Sequence, residues 1–528
     1  MSLRTAWSRI HERSMVRFGT TLTANVLCRA TGFLSNILIA RGLGVATFGD
    51  LNFLVASFMA IMGFIDMGTS SAFFTFLSQR PRNRHFLGLY ALWLCFQFML
   101  MASLIGGLMP ATMLRSIWVN HSRMNIMLAF MASFFINQVW QTVSQLGESR
   151  RKTAWVQSGE VAQSIGHLLL VSTVMFMGRM TLHVMFGLWI FEYALISIIL
   201  LPKLLSFNNA TTSGPDESTS SILKSYWTYC SPLAFLGIFT FIYRFLDRWL
   251  LQKYGGSVQQ GYFSIAVQFS NVCLIATASV MKIFWKEIAE AYHKTDKPRL
   301  HRLYTQVSRG LYAFSAWTCC LLIPYSGVIL KTTVGTTYLA GALVFTCYLL
   351  YPIHNSIGQI QGTFLQAVGD TKNLTRVGFW MMVVSMPVTY YIIADPSAPV
   401  PGLGWGAAGL AFKMVLVQLI SVIWLAYVIA RANGWVFQEL YQVTILGYFL
   451  ALAWGCRYAS AFLFLHVHTP HILVIQMVCG ALFYIAISAI SLYNRPGLVG
   501  LQLNEMTRPF KNLIQSIRSH PSKPAHAD

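Results

Sequence analysis

Charge is scarce in this chain. Only 10% of its 528 residues are Asp, Glu, Lys or Arg, against about 25% in an ordinary soluble domain. A solvated globular protein is therefore excluded as a class. Acids are the scarcer sign, 17 against 38 basic residues. There is no His/Asp/Ser constellation, no GxxxxGK[ST] loop and no metal-ligand spacing, so nucleophilic, nucleotide-driven and metal chemistry lack their residues and an enzyme is not expected. No cofactor is expected either. The energy source must then be an H+ or Na+ gradient, the membrane potential or consumption of product. The nine cysteines are scattered, many inside apolar runs (Cys28, Cys95, Cys273, Cys319, Cys320, Cys347, Cys479), without a CxxC or Cys/His pattern. They read as small buried hydrophobes. Nor is a cleavable leader expected. Met1 to Arg17 is polar and basic, and the apolar stretch after it is of full spanning length with no small-residue cleavage site, which reads as a first helix.

What is present is apolar length. Hydrophobic residues make up 55% of the chain and mean hydropathy is +0.55. Runs of 18 or more apolar residues recur, each long enough to cross about 30 Å of hydrocarbon. They predict an all-α integral membrane protein of about fourteen spans. The net charge of +21 is not that of a nucleic-acid binder, because no basic soluble domain exists to hold one. Basic residues instead gather in alternate loops, at Arg80, Arg82 and Arg84, at Arg150, Arg151 and Lys152, from Lys282 to Arg309, and at Lys372, Arg376 and Arg431. The opposite loops hold few: Arg41, Arg115, Arg123, Arg179, Lys253 and Lys331. This bias predicts an inner-membrane protein with both termini in the cytosol. The segment Lys286 to Arg309 reads as an amphipathic stretch near the headgroups, or as a solvated basic loop.

Two echoes divide the chain. Gly147-Glu148-Ser149-Arg150 and Gly369-Asp370-Thr371-Lys372 each follow an apolar segment rich in Gln and Asn. Gly44 to Gly49 and Gly256 to Gly261 each place two glycines five apart in a short loop of the other side. Their order and register predict two six-helix lobes related by a parallel pseudo-repeat, plus two extra C-terminal helices. The expected division is a cytosolic segment 1–17, an N-lobe 18–205, a linker 206–226, a C-lobe 227–430, helices 13 and 14 over 431–495 and a basic cytosolic tail 496–528. The polar stretch Asn208 to Ser220 carries the linker.

Arg29 and Gly32, then Ala40-Arg41-Gly42-Leu43-Gly44 and Phe48-Gly49, resemble the start of polysaccharide flippases of the Wzx type. Asp66-Met67-Gly68 followed by Ser70-Ser71-Ala72 resembles their D-x-G element. Asp247, Gly261-Tyr262-Phe263-Ser264 and Gly369 to Lys372 resemble the second lobe. The likeness covers roughly residues 18–430. It implies membership of the superfamily that also holds MATE exporters and lipid II flippases, with a V-shaped pair of lobes around a central cavity. It further implies alternating access for an undecaprenyl-pyrophosphate-linked oligosaccharide used in O-antigen, capsule or exopolysaccharide synthesis. Polysaccharide polymerase and chain-length components would be its partners, with no nucleic acid. Many such flippases have twelve spans, whereas fourteen is the lipid II flippase number. The Ser-Arg and Gly-Arg pattern of the latter is matched here only by Cys28-Arg29 and Gly32. The alternatives are a MATE-like ion-coupled small-molecule antiporter, against which the basic excess within the spans argues, and a lipid II flippase. A membrane glycosyltransferase would need a large loop with catalytic carboxylates, and these loops are short.

Charge inside a bilayer costs at least about 2.5–3.5 kcal/mol per residue, so each case invites a role. Arg29 falls near mid-bilayer and can meet a pyrophosphate, or be satisfied by neighbouring carbonyls. Arg244, Asp247 and Arg248 share a helix face by their spacing. They read as an anion-attracting wall with Asp247 as an ion-coupling acid, or as an interfacial salt bridge. Asp66 is an ion-coupling candidate or the acid of a helix-breaking turn. Glu192 is a further coupling candidate, and Lys413 a second cavity cation or a snorkelling lysine. Gln138, Gln141 and Gln359 suit sugar hydroxyls, since amides donate and accept, or bond between helices.

Overall fold

The computed structural model describes residues 3–80, 82–206, 218–437, 439–466 and 471–494. Most of the linker and the tail expected from sequence lie outside these residues. Every described element is helical, and no strand occurs among the described residues. The α-helices run α1 (Leu3–Asp66), α2 (Thr69–Gln79), α3 (Arg84–Ser103), α4 (Ala111–Ile117), α5 (Arg123–Phe134) and α6 (Gln141–Ser149). They continue with α7 (Thr153–Phe176), α8 (Leu182–Ser206), α9 (Thr219–Leu250), α10 (Gly256–Cys273), α11 (Ile275–His293), α12 (Lys297–Leu322) and α13 (Ser326–Thr333). The chain ends in α14 (Ala342–Tyr348), α15 (Tyr351–Ala367), α16 (Thr371–Ile393), α17 (Gly406–Asn433), α18 (Leu440–Leu463) and α19 (Ile472–Asn494).

Among the described residues, 11 helical stretches are long and apolar enough to cross a membrane, or 12 if a pair bent by 45° within α9 and α10 is one span. This is a multi-pass membrane protein. The count differs from the fourteen spans read from hydropathy because two expected loops are wound into helix. The spans expected at 18–40 and 49–77 meet inside α1, interrupted only at Gly44 (φ 74°, ψ 169°). Those expected at 227–252 and 259–282 run together through a π-helical turn, Leu251–Gly255, and Gly256 (φ 74°, ψ −177°). The stretch Thr23–Asp66 has 44 residues. At 1.5 Å per residue it would reach about 66 Å, more than twice the hydrocarbon thickness. A single straight crossing is thus excluded and the direction must change at Gly44.

The chain divides into two compact units. The first takes residues 1–268, 333–341 and 382–410, and the second takes 269–332, 342–381 and 411–528. In the first unit α1 packs along α7 and α9, and α5 along α8. Aromatic rings fill part of its interior, with Phe73 between Phe86 and Tyr90 and with Phe58 stacked on Trp118. In the second unit α12 is central, packed against α11, α15 and α18. One core there joins Tyr312, Cys319, Ile353, Phe449 and Tyr484, and another joins Phe284, Ile288, Ile360, Phe364 and Ile429. The cysteines at 273, 319, 320 and 456 lie buried and unbridged in the first of these cores.

The tightest approach in the first unit lies at the two glycine motifs. A Cβ on Gly49 would come within 1.8 Å of the Ser257 carbonyl oxygen, and a Cβ on Gly261 within 2.2 Å of the Val45 carbonyl oxygen. Val45 follows Gly44 as Ser257 follows Gly256, so each motif clasps the equivalent residue of the other. That reciprocity is what a two-fold relation between repeats produces. Gly44 and Gly256 hold the same backbone conformation, in a region that essentially only glycine occupies.

The other echo is less symmetric. Gly369 takes φ 83° and ends α15, and Asp370 caps α16 by accepting from the Asn373 backbone and side chain. Gly147 stays helical against Val156, and the left-handed residue at that bend is Arg151 (φ 58°).

Gly49→Ala and Gly261→Ala should each destabilise the protein by about 3 kcal/mol or more, because backbone oxygens cannot yield as side chains do. Gly32→Ala, with nothing within 4 Å of its Cβ, should be neutral or stabilising by up to about 1 kcal/mol. Thermal unfolding of the three variants in detergent checks the contrast.

Candidate functional site

Four clusters of polar residues stand out in the first unit. The first is a helix break. Met67 (φ 48°) and Gly68 (φ 84°) stop α1, and Asp66 bridges to α2. Its Oδ1 accepts from the Ser70 backbone N–H at 3.0 Å and the Thr69 hydroxyl at 2.9 Å, and its Oδ2 from the Ser70 hydroxyl at 3.0 Å. The carboxylate satisfies the start of α2 as an N-cap acid does. Trp93 Nε1 donates to the Thr69 hydroxyl at 3.2 Å, so α3 braces the same turn.

The second group joins α7 and α8. Glu192 is buried, with His167 Nδ1 3.0 Å from its carboxylate and Gln163 Nε2 donating at 3.0 Å. Gln163 and His167 are one turn apart on α7, which brings both to one carboxylate. The residue after Gln163, Ser164, meets Thr31 of α1 hydroxyl to hydroxyl. A buried acid with two donors is well satisfied, as buried polar groups must be.

The third group is at the end of α9. Asp247 is buried and accepts from the Thr389 hydroxyl of α16 at 2.8 Å. Arg248 turns toward α10. It donates to Gln260 Oε1 and the Ser264 hydroxyl, both at 3.1 Å, and lies 4.6 Å from the centre of the Phe263 ring. Through these bonds Asp247 and Arg248 reach different helices, because adjacent residues point about 100° apart on a helix of 3.6 residues per turn. Arg244 is exposed.

The fourth group was not legible as a site. Asp50 Oδ1 accepts from Ser257 Oγ at 2.5 Å and Gln252 Nε2 at 3.1 Å, and lies 3.4 Å from His121 Nε2. Asp50 follows Gly49, whereas Gln252 and Ser257 flank Gly256. The cluster is thus a product of the glycine clasp, and the only sequence signal was its adjacency to the motifs. Burial holds the His121 imidazole below its usual pKa, against the opposing pull of Asp50.

Of the other candidates, Arg29 is exposed on α1. Gln138 is buried but Gln141 is exposed. Their three-residue spacing does not give one face here, since the π-helical turn Phe135–Trp140 precedes α6 and takes more residues per turn. Gln359 and Lys413 belong to the second unit. Gln359 is half-buried on α15, and Lys413 is fully buried on α17. Among the described residues no group of three His, Cys, Asp or Glu side chains suits a metal ion.

His167→Ala strips Glu192 of one buried donor and should cost about 1–3 kcal/mol. Glu192→Gln keeps an acceptor oxygen for one donor and should cost less. Melting temperatures in detergent micelles rank the two variants, and no loss in either would show that the contact is energetically idle.

The fold has known relatives. Residues 17–285 match the family described as polysaccharide biosynthesis protein. The lipid II flippase MurJ, in an inward closed conformation, superposes with TM-score 0.68 at 14% identity, over 89% of this chain and 98% of that one. An inward-facing multidrug resistance MATE transporter of the MOP superfamily gives 0.60 at 13% identity, over 77% and 96%. A MOP superfamily transporter from Pyrococcus furiosus, whose binding pocket is described as of reverse polarity, gives 0.52 at 12% identity, over 79% and 94%. No curated protein matches the sequence. At these identities the solved structures establish a common fold, and the match over more than half of the chain establishes descent: the protein belongs to the polysaccharide biosynthesis protein family.

Proposed function

We propose that this protein is a flippase without catalytic chemistry of its own. It would carry an undecaprenyl-pyrophosphate-linked oligosaccharide from the cytosolic to the outer leaflet of the inner membrane, for O-antigen, capsule or exopolysaccharide assembly. The observation that carries the reading is the state of two arginines. Arg29 on α1 and Arg244 on α9 stand exposed on helices that pack against each other. An exposed guanidinium facing lipid is costly, whereas one facing water and phosphate is not. Arginine also offers the paired donors that pyrophosphate oxygens accept. Arg248 differs, because it is tied into α10 by Gln260 and Ser264. It serves the wall more than the substrate.

On this reading the sugars pass along amide and hydroxyl side chains while the polyprenyl tail stays in the bilayer. Gln138, Gln141 and Gln359 remain candidates for sugar contact, and Lys413 for a second cation. Coupling to H+ or Na+ would use Glu192 or Asp247, since both are buried acids held by hydrogen bonds that can adjust to a change of charge. Asp66 suits coupling less, because its carboxylate caps α2. The lobes would alternate with both termini in the cytosol.

Deleting the gene in its host should raise lipid-linked oligosaccharide on the cytosolic leaflet and remove the surface glycan. Normal glycan with raised sensitivity to cationic drugs would instead establish an antiporter. Arg29→Ala and Arg244→Ala should each lower export roughly ten- to a hundredfold at unchanged protein level, the loss of one charge-assisted contact of about 1.5–3 kcal/mol. Surface glycan measured in the complemented deletion strain decides this, and normal export by both variants rejects their role.

A further inference from the structure

A cavity of about 200 Å³ opens in the first unit beside the second glycine turn, lined by Tyr254, Gln259, Asp395, Trp405 and the glycines around them. It belongs to none of the four polar groups above. Its wall is the connection between α16 and α17, which backbone bonds fold onto the end of α16. Leu403 N–H donates to the Tyr391 carbonyl at 2.8 Å, Gly404 N–H to Ala394 at 2.9 Å and Trp405 N–H to Ile392 at 3.0 Å. Gly404 (φ 65°) and Gly406 (φ 53°) allow that path. The pocket is therefore preformed, which lowers the ordering cost of binding.

Its chemistry is specific. Trp405 is 53% exposed and presents an indole. Tyr254 is set edge-on to Tyr390, ring centres 6.1 Å apart. Asp395 accepts from the Ser397 hydroxyl and backbone N–H, at 2.6 and 2.8 Å, which keeps its carboxyl below the usual range and ionised at neutral pH. Gln259 Oε1 accepts from the Ala407 N–H at 3.1 Å, which orients the amide so that its N–H donors occupy the other corner. Lys253 Nζ lies 5.3 Å from the Tyr254 ring centre. Asp395 is the one charged side chain among the residues that line the pocket, and it disfavours an anion. Aromatic rings to cover a C–H face, with a carboxylate and an amide for hydroxyl groups, are the complement of a neutral sugar.

We propose that this cavity is a saccharide-binding subsite for one uncharged sugar unit, where Trp405 covers the ring and Asp395 and Gln259 bond its hydroxyls. The proposal rests on the flippase reading in one respect. The pocket lies beside Gly256, at the end of the first unit away from the basic loops, where a translocated oligosaccharide would emerge. A subsite there retains the glycan while its lipid carrier settles in the outer leaflet.

The probe is the lipid-free oligosaccharide released by mild acid from the host's own polyprenyl-linked intermediates. Saturation-transfer difference NMR is recorded on the full chain in nanodiscs. Sugar-ring signals are expected with the wild type, and they should fall about fivefold or more in Trp405→Ala and Asp395→Asn, a loss of about 1 kcal/mol. Trp405→Phe should retain them. Asp395→Asn keeps the size of the side chain and its turn with Ser397, so it tests the contact even where Trp405→Ala unfolds. No signal with the wild type, or undiminished signal in both Trp405→Ala and Asp395→Asn, overturns the subsite. Glycan export by the same variants separates the two readings. Lost binding with normal export confines the subsite to retention, and absent wild-type binding with normal export removes the subsite and leaves the flippase standing. A deletion strain with normal glycan rejects the flippase whatever the NMR shows.

Discussion

Two backbones cross in the first unit with no room for a side chain between them. Gly49 meets the Ser257 carbonyl and Gly261 meets the Val45 carbonyl, and much of the unit's polar architecture follows from that clasp. It brings Asp50 within reach of Gln252 and Ser257. It also fixes the start of α10, and with it Gln260 and Ser264, the partners that hold Arg248. One turn away, Gln259 secures the start of α17 through the Ala407 N–H. Small residues let helices approach this closely where lipid supplies no hydrophobic drive between them. The reciprocal pairing makes the repeat a physical contact as well as a pattern in the sequence.

Polar groups in an apolar chain divide here by how their surroundings treat them. Glu192 is met by a histidine and an amide, Asp247 by a threonine among its partners, and Asp66 by two hydroxyls with a backbone N–H. Such acids are stabilised in place and contribute to the lobe's structure, because an unmet buried acid would cost several kcal/mol. Arg29 and Arg244 are exposed instead. A membrane protein holds arginines in that state where water or an anion can reach them. Burial thus separates the acids held inside the unit from the two arginines left at its surface, a distinction that residue type alone does not make.

Composition and hydropathy determined that the chain is helical and spans a membrane many times, because a spanning backbone must satisfy its own hydrogen bonds and a helix does so locally. The glycine echoes were legible for the same local reason: Gly44 and Gly256 hold a conformation that other residues avoid, and a position needing glycine marks itself in sequence. The helix break at Asp66-Met67-Gly68 was likewise readable, since capping involves residues three and four apart. Where one helix passes into the next was not, because the residues joining α1's two halves keep helical geometry apart from one glycine, and hydropathy cannot see where a helix ends. Only the tertiary structure decided which partner each polar side chain takes. Asp247 and Arg248, neighbours in sequence, go to α16 and α10. Gln138 and Gln141 part company because a π-helical turn shifts their register. The Asp50 cluster and the Trp405 cavity each gather residues far apart in the chain, and such meetings depend on how helices pack, which a single sequence does not encode in any local spacing.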